Sequence, residues 1–166
     1  VTEHPAPLSL QHFTADVPPG HRPIGWGHLT ADPFEVETTG RAAAAARMQR
    51  QLTEELRTTV PDVAVVFRAC DAALHREVFL ADGVEDDHVG MIAIAHEEHV
   101  HGEYEAVLVG GPADGRTVTA RADRLRLVVP HTTGPALAPD STITELTYER
   151  QLGHPRRFSY VPGDRT

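Results

Sequence analysis

In the last third of the chain, apolar and polar positions follow the pattern of short, half-buried strands. Residues 104–109 form a β-type apolar run, residues 116–120 return it, and the GGPADG segment between them has the composition of a tight reversal. Pro112 presets φ and removes a donor. Gly110, Gly111 and Gly115 admit positive φ, and Asp114 can accept from the loop's own amides. Leu125, Leu127 and Val129 then alternate with Arg124, Arg126 and Val128, the period of a strand with one face buried. After a Gly- and Pro-containing loop at 131–140, residues 143–150 and 157–161 read as two more strands. The expectation is a small antiparallel β-barrel-like or sheet module over residues 103–166.

The preceding residues mix two periods. Residues 12–17 and 24–29 are predicted as strands, the second carrying Trp26 between Gly25 and Gly27. Residues 41–59, RAAAAARMQRQLTEELRTT, are rich in helix formers and place Ala45, Met48, Leu52 and Leu56 on one face, with Pro61 as terminator. Residues 63–68 read as a strand, and 74–80 as its hairpin partner. A helix capped by Asp86 or Asp87 is predicted to run to His101, with MIAIA at 91–95 equally compatible with a strand. The predicted fold class is therefore α+β: an acidic ββαββα lobe over residues 1–102, then the all-β GGPADG module.

Composition narrows the possibilities. With 40% hydrophobic residues in 166, the chain can build a core, and one cysteine, Cys70, excludes an intrachain disulfide. No apolar run reaches the roughly 20 residues of a membrane span, and the first ten residues lack the order of a signal peptide. All 15 basic residues are Arg and Asn is absent, the usage of a GC-rich genome, in which Val1 reads as a translated GTG start. Residues 1–102 hold 16 acids against 7 arginines, while residues 103–166 hold 8 of each. That imbalance argues against direct nucleic-acid binding by the first lobe.

In the second part, Gly110, Gly111, Pro112, Asp114 and Gly115, followed by Tyr148, Arg150, Phe158, Tyr160 and Val161, carry a resemblance. Their order resembles a short GGPxDG β module found in uncharacterised proteins of actinobacteria and their tailed bacteriophages. The likeness covers the last third of the chain and brings no catalytic residues with it. It implies a particle or assembly role.

One segment has metal-ligand residue types: HEEHVHGE, with His96, His99 and His101 as candidates. It lacks the His-Glu-x-x-His spacing that puts two imidazoles on one helical face, so a solvated polar helix end is the expectation. No phosphate loop, nucleophile elbow or dinucleotide fingerprint is present.

The expected function is a non-enzymatic structural or interaction protein: a minor virion, connector, tail or decoration component of an actinobacterial phage or phage-like particle. The expected partners are other copies of the chain or other particle proteins, with no membrane, cofactor or metal, and the expected location is the particle or otherwise the cytoplasm. Interaction candidates are Leu8, Leu10, Trp26, Gly110, Gly111, Pro112, Asp114, Gly115 and Leu137. The alternatives are a small metal-dependent enzyme using His96, His99 and His101, or a host regulatory adaptor.

Overall fold

The computed structural model describes residues 10–79, 85–134 and 139–163. It is α+β and divides into two compact units, Val1–Glu98 and His99–Thr166. Within the first unit the order is a short 3-10 helix (Leu10–Phe13), β1 (His21–Thr30), α1 (Pro33–Thr39), α2 (Arg41–Thr59), β2 (Ala64–Cys70), α3 (Ala72–Phe79) and β3 (Gly90–Glu98).

These three strands form an antiparallel sheet in the order β1-β3-β2. The central strand, β3, is buried from Gly90 to Glu97 and needs cover on both faces. Met91 and Ala93 meet Ala44, Met48 and Leu52 of α2. On the opposite face, Ile92 and Ile94 meet Phe13, Val17 and Val78. Gly27 allows the close packing of α2, since a Cβ there would lie 2.9 Å from Leu52 Cδ2.

Three local expectations are corrected. Residues 86–101 are not a helix: MIAIA belongs to a strand, because a run apolar at every position suits a sheet centre covered on both faces. Residues 74–80 are not a strand, because Asp71 caps α3 by accepting from the Leu74 amide (2.8 Å), and the two alanines that follow are strong helix formers. Residues 12–17 contain the end of the 3-10 helix and a turn, anchored by fully buried Phe13. The unpredicted α1 opens with Asp32 capping Phe34 N (2.7 Å) and Pro33 at its first turn. The lobe thus reads βααβαβ after its 3-10 turn, instead of ββαββα.

The second unit has the expected strands in the expected order, with two corrections: residues 131–133, expected in a loop, extend its third strand by pairing with residues 142–144, and the sheet is not antiparallel throughout. Its strands are β4 (Glu103–Val109), β5 (Thr117–Arg121), β6 (Arg126–Thr133), β7 (Thr142–Gln151) and β8 (His154–Val161). They form a nearly closed, barrel-like sheet in the order β5-β4-β8-β7-β6. Neighbouring pairs are antiparallel except β4–β8, which is parallel, so the sheet is mixed. Inward-facing Tyr104, Ala106, Leu108, Val129, Leu146, Tyr148 and Phe158 make the core.

The GGPADG turn is tied to that core. The buried Tyr148 hydroxyl donates to Gly110 O (3.0 Å) and accepts from Ala113 N (3.2 Å), while Asp114 Oδ1 accepts from Gly110 N (2.7 Å). Gly111 has φ +67°, and a Cβ there would sit 2.5 Å from Tyr160 Cγ; Gly115 has φ +79° and open space around it. Gly115→Ala is therefore expected to cost about 1 kcal/mol, from the left-handed backbone alone. Gly111→Ala should cost about 1–3 kcal/mol more, because the Tyr160 ring must also move. Equal losses by urea unfolding would show that the ring contact contributes nothing.

Candidate metal centre

The face of the first sheet that carries Ile92 and Ile94 also carries polar side chains. His28 of β1 pairs with Ile92 in register and so points the same way. α3 brings His75 to this face, and the turn before β3 brings His88, whose amide donates to Glu85 O (3.0 Å). Gly90 leaves room for that ring: a Cβ there would lie 2.9 Å from His88 Nε2 and 3.1 Å from Leu29 O.

The three rings converge. Their centroids lie 5.2 Å apart for His28 and His75, 4.6 Å for His75 and His88, and 6.2 Å for His28 and His88. One ligand nitrogen from each ring lies within 4.8 Å of the other two, and all three residues are partly buried. Tetrahedral zinc, with Zn–N bonds of about 2.0–2.1 Å, needs nitrogens about 3.4 Å apart. Ligation of one ion therefore requires the three rings to draw closer by side-chain rotation.

Protonation favours ligation. Burial lowers the pKa of His75. Burial and then the neighbouring His75 lower that of His88, against opposing effects from Asp71 and Asp87. Both shifts favour the neutral imidazole, the state that offers a lone pair. His88 Nε2 is buried with no hydrogen-bond partner among the described residues. His75 and His88 also line a cleft of about 560 Å³ at the end of the sheet, together with Thr30, Ala31, Val89, Glu37, Arg41, Glu85 and Asp87.

The histidines singled out by sequence are placed differently. His96 lies on β3, buried, with its Nδ1 2.9 Å from His21 Nδ1. His99 and His101 are exposed in the second unit, with ring centroids 4.2 Å apart. Among the described residues, the one group of three potential ligands is His28, His75 and His88. No sequence spacing announces it, because its members are 47 and 13 positions apart on three different elements.

Of the interaction candidates, Leu10 and Trp26 pack, half-buried, against the core of the first unit. Gly110 and Asp114 hydrogen-bond within their own turn, to which Gly111, Pro112 and Gly115 also belong. Leu8 and Leu137 lie outside the described residues. Cys70 is buried, which pushes its thiol up to about 11 and leaves it protonated at neutral pH. No protein-family model, curated protein or solved structure matches the chain.

The His21–His96 contact makes stability depend on pH. A hydrogen bond between two Nδ1 atoms needs one N–H and one lone pair, so the pair cannot hold both protons and keep the bond. Burial, followed by the charge of His21, lowers the pKa of His96 below its ordinary 6.5. The unfolded state therefore binds the proton more readily, and stability that is complete above pH 6.5 is lost as pH falls through the folded value. Urea unfolding of chelator-treated protein from pH 8 to 5 should show a smaller acid loss in His96→Asn than in the parent. Parallel curves for the two proteins would contradict this.

Proposed function

We propose that the first unit binds one divalent transition-metal ion, zinc foremost, through His28, His75 and His88. One observation carries the reading: three neutral or partly buried imidazoles from a strand, a helix and a turn present nitrogens within 4.8 Å of one another. Imidazole sets suit zinc, copper, nickel and iron better than magnesium or calcium, which prefer oxygen donors. Asp71 and Asp87, both of which act electrostatically on His88, add negative charge that complements a cation.

The test is a zinc titration of chelator-treated, tag-free protein. One equivalent is expected to bind, raising stability by about 2.7 kcal/mol when free zinc is one hundred times Kd. His75→Ala and His88→Ala should each abolish the stoichiometric site. Absence of binding, or binding unchanged in both variants, overturns the reading.

For the second unit we propose an interaction role, within a minor component of an actinobacterial phage or phage-like particle. The GGPxDG resemblance supports this, as does the outward face of β6 and β7. Val128 is 60% and Ile143 71% exposed. The β6–β7 register places both on the side opposite the core, along with Pro130 and Thr132. In sedimentation of the full chain, self-association should weaken in a Val128→Ser/Ile143→Ser variant that melts like the parent. A parent that stays monomeric at high concentration would remove self-assembly from the proposal.

A further inference from the structure

The histidine cluster reaches the cleft through two of its three rings. His75 and His88 line the cleft, whereas His28 approaches from β1. Three histidines leave one position of a tetrahedral ion without a protein ligand, the arrangement of catalytic rather than structural zinc. Among the described residues no fourth histidine, cysteine or carboxylate joins the group.

The cleft also contains Arg41, the first residue of α2, whose side chain is exposed. Arg22, Arg47, Arg68 and Arg76 of the same unit are held in ion pairs with carboxylates. Arg41 has no such pair among the described residues, so its guanidinium retains its donors for a ligand.

Charge decides when a ligand enters. Glu37, Glu85 and Asp87 line the cleft against the single cation of Arg41, so with neutral histidines the walls carry a net charge of about −2. Such walls repel anions. A bound divalent ion brings the sum to zero and adds a Lewis acid to the cleft that Arg41 also lines, so that an oxygen ligand has two groups in one cleft to engage.

Resting on the metal reading above, we propose that the ion keeps one exchangeable position facing the cleft and there takes an oxyanion, a carboxylate or phosphate group, that also pairs with Arg41. Binding consists of displacement of metal-bound water by the anion's oxygen. It requires the metal, because the empty cleft is net acidic. The centre is then a ligand-exchanging site for anionic small molecules or side chains.

The experiment uses the full chain loaded with cobalt(II), freed of excess ion, and monitored by its visible ligand-field bands. Acetate and inorganic phosphate are titrated in separate arms, on the parent, Arg41→Ala and Arg41→Lys. A saturable spectral change with at least one anion, weakened on the order of tenfold in Arg41→Ala and partly recovered in Arg41→Lys, is the expected result. The arm with the tighter constant identifies the class of oxyanion. If one equivalent of cobalt binds but neither anion perturbs the bands, the centre is closed and this inference falls while the metal reading stands. If cobalt does not bind, the metal reading itself falls. A spectral change equal in all three proteins removes Arg41 from the site.

Discussion

The first unit depends on burying one strand on both of its faces. β3 runs through the middle of a three-stranded sheet, and each buried Ile or Met side chain on it contributes about 1.5–3 kcal/mol only if something covers it. α2 supplies one cover, and the 3-10 helix with α3 supplies the other. Polar residues on such a strand must find partners inside the protein. Glu97 receives two donors from Arg22, at 3.0 and 2.6 Å, and His96 shares a hydrogen bond with His21. Burial of a strand end thus creates a charge pair and a histidine pair side by side.

The histidine cluster follows from the same packing. Register with β3 turns His28 toward the face that α3 covers, and the turn entering β3 returns His88 to it. Partial burial then lowers the pKa of His75 and His88 and so favours their neutral forms. The features that suit the cluster to a metal ion, convergence and pKa values lowered at His75 and His88, are consequences of tertiary packing and of desolvation.

In the second unit Tyr148 has the corresponding place. Its ring fills the barrel-like core, and its hydroxyl bonds to both Gly110 and Ala113 of the GGPADG turn. A turn held in this way spends its own polar groups on the fold, which leaves the sheet's outer face, with Val128 and Ile143, as the better-exposed apolar surface.

By itself the sequence determined the α+β class, the long helix α2, the order and approximate positions of the five described strands of the second unit, though not the extension of β6 to Thr133, and the glycine-dependent turn between β4 and β5. Those features rest on local causes: helix propensity, alternation with period two, and φ angles open chiefly to glycine. β3 was ambiguous because an apolar run of MIAIA type satisfies a buried helix or a buried strand equally, and only its two neighbours decide between them. α3 was legible in principle from Asp71 and the alanines after it, but the alternation of LHREVF masked the cap. Parallel pairing of β4 with β8 left no sequence mark, since strand order is set by chain closure rather than by composition. Tertiary structure alone decided the histidine cluster: His96, His99 and His101 are close in sequence, whereas His28, His75 and His88 are close in space, because side-chain direction and strand register determine which imidazoles share a volume.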